Sequence, residues 1–253
     1  MLEICAIAWG SNGNCYYIGN EKDAVLIDAG ISCKQILLRM ESKGLNPLKL
    51  KAVFISHEHR DHMRGARVMS KRLHIPVYMT SRTYMAAYNN LKPDYPKFFD
   101  AGEQIEVGKF VIHSFLKNHD ASEPCSFRVE YNGKNVGVFT DIGDPCENVS
   151  AHVQRCDALF LESNYDEEML RNGRYPFYLK QRIASEVGHL SNIQALKLIE
   201  EFAGQNLKHI FLSHLSAENN TPEIAFETFK ILQNRYNVQL TSRYAAGEIC
   251  RIE

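Results

Sequence analysis

The 253-residue chain has no C-x-x-C couple, and its seven cysteines, Cys5, Cys15, Cys33, Cys125, Cys146, Cys156 and Cys250, are scattered and odd in number. A secreted disulfide framework needs pairing and a zinc ribbon needs closely spaced couples. Neither fits, and the thiols are expected to be free, mostly buried, in a reducing cytoplasm. No run approaches the ~20 apolar residues that cross a bilayer. The opening stretch, residues 1–9, has no basic region before its short apolar run, so no secretory signal is expected. Neither sign of charge is in excess: 29 Lys and Arg against 30 Asp and Glu leave a net charge of −1. That excludes a strongly basic nucleic-acid coat but leaves room for a local basic groove. No Pro/Gly/Ser-rich linker, low-complexity tract or clear repeat divides the chain. With 45% apolar and 23% charged residues, it is expected to form one soluble, cytoplasmic domain over residues 1–253, with no membrane partner.

Short apolar runs alternate with helical patterns. Strands are expected at 3–8, 14–18, 24–27, 52–55 and 76–80, then at 109–115, 125–131, 135–140 and 158–161, and again at 209–212. Gly10-Ser11-Asn12-Gly13 reads as a turn, and Asn132-Gly133 as a hairpin turn. Capping boxes at Ser32/Gln35 and Ser191/Gln194 announce helices, one of which stops at Gly44, and Pro222 after Thr221 announces another. A further helix is expected from the histidine cluster to about Leu73. Mixed β and α, then β, then α and β suggests two packed sheets with helices outside.

The chemistry concentrates in Ser56-His57-Glu58-His59-Arg60-Asp61-His62, directly after a buried strand. His57 and His59 project to one side of an extended chain. Asp61 and His62 are adjacent and converge only if the chain turns, which Gly65 and the helical pattern beyond allow. Such crowded groups repel when protonated, and a metal removes that conflict. One cluster cannot complete two sites. His119 lies just beyond strand 109–115, Asp141 directly follows 136–140 and His214 closes 210–213, so all three stand at strand ends as further candidates.

On these residues the sequence resembles the metallo-β-lactamase-fold hydrolases, with Asp28 of Leu26-Ile27-Asp28-Ala29-Gly30 as the first motif, His57–His62 as the second, and His119, Asp141 and His214 as the third to fifth. Gly10-Ser11-Asn12-Gly13-Asn14-Cys15, Asn118-His119-Asp120-Ala121-Ser122-Glu123-Pro124, Glu162-Ser163-Asn164-Tyr165-Asp166, Asn172-Gly173-Arg174-Tyr175-Pro176, Gly188-His189-Leu190-Ser191-Asn192 and His214-Leu215-Ser216-Ala217-Glu218-Asn219-Asn220 narrow it to the YycJ/WalJ subfamily, near ribonuclease Z and the phosphodiesterase PhnP. Tyr165 stands where histidine is frequent, and Asn12 where serine is common. The resemblance implies an α/β fold, a four-layer αββα sandwich, holding two divalent metal ions, Zn or Mn. One ion would take His57, His59, His119 and Asp141. The other would take Asp61, His62, His214 and the shared Asp141, with Asp28 orienting a histidine. It further implies a 5′-to-3′ DNA exonuclease, in which Asp61 and His189 are catalytic.

Two ions about 3.5–4 Å apart can activate a bridging hydroxide and stabilise an in-line displacement at phosphorus. The common zinc β-lactamases use a cysteine that is missing here, and flavodiiron proteins have glutamate where His59 stands. A glyoxalase-II-like thioesterase shares the histidine motif and stays open, as does a small cyclic phosphate as substrate. His189, placed like the proton donor of ribonuclease Z-type enzymes, favours phosphodiesters. The interval between Asp141 and His214 is too short for a large RNA clamp. Arg171, Arg174, Lys180 and Arg182, interleaved with Tyr175, Phe177 and Tyr178, suit DNA phosphates and stacked bases. Of these, Arg174, Lys180 and Arg182 are the expected phosphate contacts. His74, His113, His152 and His209 are expected to be structural or exposed.

Overall fold

Runs that are apolar at every position must be covered on both faces, and they build two sheets. In the computed structural model, which describes residues 1–10, 13–241 and 245–253, the strands are β1 (Leu2–Ala8), β2 (Cys15–Gly19), β3 (Ala24–Ile27), β4 (Leu50–Phe54), β5 (Val77–Met79) and β6 (Pro96–Phe98). There follow β7 (Gln104–Val107), β8 (Phe110–Leu116), β9 (Cys125–Tyr131), β10 (Lys134–Phe139), β11 (Ala158–Glu162), β12 (His209–Ser213), β13 (Asn237–Leu240) and β14 (Cys250–Ile252). The two seven-stranded sheets have the orders β14-β1-β2-β3-β4-β5-β6 and β13-β12-β11-β10-β9-β8-β7. Ser11 and Asn12 of the turn expected at 10–13 lie outside the described residues.

β3 to β6 are parallel, as are β10 to β13, and parallel neighbours need crossovers. These crossovers carry α1 (Cys33–Ser42), α2 (Arg60–Met63), α3 (Ala66–Leu73) and α4 (Ser81–Ala86) in the first sheet. In the second they carry α5 (Glu147–Val153), α6 (Glu167–Asn172), α7 (Phe177–Ile183), α8 (Asn192–Phe202) and α9 (Pro222–Thr228). The strand period of two sorts the side chains. Val25 and Ile27 belong to the core between the sheets, while Ala24 and Leu26 pack with Ile36, Met40 and Met69 of α1 and α3. Tyr16 meets Phe160 across the sandwich at 4.9 Å, and Phe54 meets Phe127 at 5.7 Å. The architecture is helix, sheet, sheet, helix, as expected, and no helix among the described residues is long and apolar enough to cross a membrane.

The single helix expected up to Leu73 is instead two, α2 and α3, broken at Gly65. The Gly65 amide donates to the Ala29 carbonyl at 2.7 Å, and a Cβ on Gly65 would stand 2.3 Å from the Ile31 oxygen. The backbone that follows β3 therefore occupies the break, which only glycine permits. Asn132 and Gly133 take φ of 50° and 76°, the positive pair a tight hairpin demands. The cysteines are free, with Cys146 and Cys250 half-buried and the other five buried.

Candidate metal centre

Asp28 leaves β3 with φ 61° and turns its carboxylate beneath the histidine cluster. Its Oδ1 accepts the Ser56 amide at 2.8 Å, and its Oδ2 accepts the Ser56 hydroxyl at 2.9 Å and His62 Nδ1 at 2.7 Å. Ser56 Oγ in turn accepts His57 Nδ1 at 2.9 Å. One buried carboxylate thus orients His62 directly and His57 through a hydroxyl, leaving Nε2 of each ring to face outward. His57 Nε2 lies 3.0 Å from His59 Nδ1. The single turn of α2 supplies the bend that adjacent Asp61 and His62 needed, and Asp61 Oδ2 lies 3.5 Å from His62 Nε2.

The second sheet brings the rest from the far side. His119 follows β8 and donates Nδ1–H to the Gly188 carbonyl at 3.1 Å. Asp141 follows β10 and His214 follows β12, with φ of 55° and 57°. Asp141 stands in the middle: Oδ2 is 3.3 Å from His62 Nε2, and Oδ1 is 3.5 Å from His214 Nε2 and 3.8 Å from His119 Nε2. All the expected ligands, His57, His59, Asp61, His62, His119, Asp141 and His214, therefore meet at one rim where the strands end.

The donor set fits divalent metal. His119 Nε2, His214 Nε2 and Asp141 Oδ2 are buried and have no hydrogen-bond partner among the described residues. A buried polar atom left unpaired costs roughly 1–3 kcal/mol, so three aimed at one place call for a common partner. Four overlapping triads, His57/His59/His119, His57/His62/Asp141, Asp61/His62/His214 and Asp141/His189/His214, each keep their ligand atoms within 4.8 Å. Imidazole and carboxylate without thiolate suits Zn²⁺ or Mn²⁺. Burial drives His57 well below the ordinary imidazole value, and His119 down to about 4, which keeps both rings neutral as ligation requires. Burial would also lower His62, but Asp141, Asp28 and Asp61 outweigh it and raise it.

The sequence reading assigned no role to Glu162. It ends β11, is fully buried, and its Oε1 accepts both His189 Nδ1 at 2.8 Å and His214 Nδ1 at 2.7 Å, while Oε2 accepts the Ile142 amide at 2.7 Å. Burial alone would raise its carboxyl, yet His189 and His214 outweigh that and hold it down to about 2. The signal was available: Glu162 directly follows an apolar run, as Asp141 does. Lys117, also unassigned, is buried with Nζ donating to the Thr140 carbonyl at 2.6 Å, behind Asp141. His189 is the more open of the two rings on Glu162, its side chain 23% exposed against 3% for His214.

The cleft over these groups holds about 230 Å³ and is lined by Asp61, Asp141, His189, His214 and Arg182 among others. The three cations expected to contact phosphate are not gathered there. Arg182 reaches the rim, where its Nε donates to Asp120 at 2.6 Å. Lys180 donates to the Arg171 carbonyl at 2.8 Å and lines a neighbouring cavity of about 510 Å³ with Tyr165 and Phe177. Arg174 is exposed between α6 and α7. Of the remaining histidines, His113 pairs with Glu130 at 2.9 Å, and His152 stacks on Phe115 at 3.9 Å.

Residues 8–176 match the metallo-beta-lactamase superfamily. The chain is 34% identical over 227 residues to exodeoxyribonuclease YycJ of Bacillus anthracis, covering 88% of this chain and 86% of that protein. It is likewise 34% identical over 227 residues to exodeoxyribonuclease WalJ of Streptococcus pneumoniae serotype 2, covering 88% of this chain and 84% of that one. Among solved structures, the metallo-beta-lactamase fold protein YhfI of Bacillus subtilis is similar with a TM-score of 0.75 at 16% identity, over 98% of this chain and 100% of that one.

Proposed function

The chain belongs to the metallo-beta-lactamase superfamily and is a metal-dependent hydrolase of the nuclease and phosphodiesterase kind; on that premise we propose that it degrades DNA from an end, in the 5′-to-3′ direction, at a pair of divalent ions. The observation that carries the reading is the set of orphaned, buried atoms, His119 Nε2, His214 Nε2 and Asp141 Oδ2, gathered at the strand ends of the second sheet beside the His57–His62 cluster of the first. His57, His59 and His119 would hold one ion, Asp61, His62 and His214 the other, and Asp141 both. When bound, the ions supply Lewis-acid activation of water and neutralise charge at phosphorus.

The chain's own residues do the rest. Asp28 and Glu162 fix the tautomers of His62 and His214, so that Nε2 is the atom each offers. Asp61, with a side chain 30% exposed, faces the cleft and can take the proton of the attacking water. His189 is held through Nδ1 by Glu162, which leaves Nε2 to deliver a proton to the departing oxygen. Two relatives named exodeoxyribonucleases support DNA and attack from an end, and the resemblance to their subfamily supports the polarity.

The test is product analysis. Protein loaded with Zn²⁺ or Mn²⁺ is incubated with DNA labelled at the 5′ or the 3′ end, with a cyclic ribose phosphate, and with a thioester. Early release of the 5′ label as mononucleotide is expected. Hydrolysis of the cyclic phosphate or the thioester while both DNAs stay intact overturns the reading.

A further inference from the structure

A second cavity, of about 400 Å³, shares no lining residue with the metal cleft. Its floor is β8 and β9, and its walls are the edge strand β7 with the turn before it and the helix α5 with the residues after it. The strand period puts Phe127 and Val129 into the core between the sheets and turns Arg128 the other way, into this cavity on the outer face. Arg128 is only 2% exposed. A guanidinium is rarely covered so fully, and a buried charge needs partners.

Two of its three nitrogens have them. Nε donates to His152 Nδ1 at 3.2 Å, and Nη1 donates to Asn135 and lies 3.6 Å from Glu130 Oε2. Glu130 is already engaged by His113 Nε2 at 2.9 Å. Nη2 has no partner among the described residues. His152 is in the same position. Its Nδ1 accepts, so the proton of the neutral ring sits on Nε2, which has no partner among the described residues either. Burial, with Arg128, His113 and Arg155 nearby, holds His152 down to about 4 and keeps the ring neutral. Stacking on Phe115, 11° from parallel, fixes its plane. Arg155, exposed three residues beyond His152, brings a second guanidinium to the cavity, and its side chain has no partner among the described residues. No Asp or Glu among the described residues lines the cavity.

We propose that this cavity is a binding site for the phosphate group of a small molecule, with Arg128 Nη2, His152 Nε2 and Arg155 as its donors. Two guanidiniums against the one carboxylate of Glu130 leave an uncompensated positive charge, which selects an anion. Planar N–H forks match phosphate oxygens, and an anion with several oxygens can take a donor from each of three side chains. The volume falls in the range of small-molecule sites, roughly 300–1,000 Å³, and exceeds what a bare anion needs. A phosphate monoester such as a nucleoside monophosphate therefore suits it, and inorganic phosphate is the other source of the same group. The site stands apart from the metal centre and does not depend on the reaction proposed there.

The experiment is isothermal titration of the metal-loaded full chain with deoxyadenosine 5′-monophosphate, with inorganic phosphate and with deoxyadenosine. Wild type is compared with Arg155→Ala, Arg155→Glu, His152→Phe and, as a control at the metal rim, Arg182→Ala. A phosphate-dependent binding event is expected that weakens by about 10- to 150-fold in Arg155→Ala and in His152→Phe, the range for one hydrogen bond to a charged group. It should disappear in Arg155→Glu and persist in Arg182→Ala, which reports on phosphate at the metals. Tighter binding of the nucleotide than of inorganic phosphate assigns the site to a monoester, and equal binding assigns it to the free anion. Binding that none of the Arg155 and His152 variants weakens, or no binding beyond the event that Arg182→Ala weakens, overturns the site. Deoxyadenosine binding as tightly as its monophosphate overturns it as well.

Discussion

Asp28, Asp141 and His214 share a backbone conformation that L-residues avoid, with φ of 61°, 55° and 57°. Each ends a parallel strand, and the left-handed turn directs the side chain into the cleft. Left-handed geometry costs roughly 1–2 kcal/mol per residue, and strain of this kind persists where the surrounding structure holds it for function. His189 is ordered differently, by a hydrogen bond. Its Nδ1 and that of His214 share one oxygen of Glu162, so the two rings differ in exposure rather than in anchor. His189→Ala should therefore keep its metal content but lower kcat on DNA by about 10²–10⁴-fold, the usual worth of a positioned acid. On bis-p-nitrophenyl phosphate the loss should be much smaller, because p-nitrophenolate leaves without a proton. Loss of metal in the variant, or equal slowing on both substrates, would make His189 a ligand or a scaffold residue instead.

At the scale of elements, the start of α8 carries more than its own helix. Ser191 Oγ accepts the Gln194 amide at 3.1 Å, and Gln194 Oε1 accepts the Ser191 amide at 2.8 Å, completing the capping box expected from sequence. Ser191 also donates to Glu167 at 3.1 Å and bridges to Tyr165, and it lies two residues beyond His189. Ser191→Ala should cost about 1 kcal/mol in urea unfolding and also reduce kcat on DNA, since the cap fixes where the His189 loop ends. Ser32→Ala, at the exposed cap of α1, should cost stability without the loss of kcat. Equal activity of the two variants would detach the cap from the site. The short helices α4, α5, α6 and α7 carry no long period, which is why no sequence pattern announced them, whereas the split of α2 from α3 was hidden by residues that read as one continuous helix until Gly65 met Ala29.

Across the whole molecule the site is a seam. Asp28 and His57 to His62 come from the first sheet, and His119, Asp141, Glu162 and His214 from the second. Metal bound there would join the two sheets of the sandwich and stabilise the folded chain with the logarithm of its concentration over Kd, by about 4 kcal/mol at a thousand times Kd. Melting temperature should rise with added Zn²⁺ or Mn²⁺ and fall again with a chelator. Asp141→Asn should abolish most of that rise. Asparagine accepts the left-handed backbone but brings no negative charge to place between the two cations proposed for the site. A variant that still binds two ions, measured by metal analysis, would show that Asp141 does not bridge.

By itself the sequence determined what is local. An apolar run closed by Asp or His announces a strand with a chemical group at its end, and that pattern located the His57–His62 cluster, Asp141 and His214, together with the layers that bury such strands, while Asp28 was singled out by the resemblance to the family's first motif. The adjacency of Asp61 and His62 even required the turn that α2 makes. Only the tertiary structure decided which of these groups share a partner. Glu162 is 27 positions from His189 and 52 from His214, and no periodicity encodes a contact set by the order of strands in a sheet. The same holds for the cations expected to meet phosphate. Arg174, Lys180 and Arg182 are neighbours in sequence, but a helix of 3.6 residues per turn sends Lys180 and Arg182 to different sides of α7. The packing of the two sheets instead brings Arg182 to one groove with Arg60 and Tyr88, because side-chain direction and long-range packing, not proximity along the chain, choose what faces the cleft.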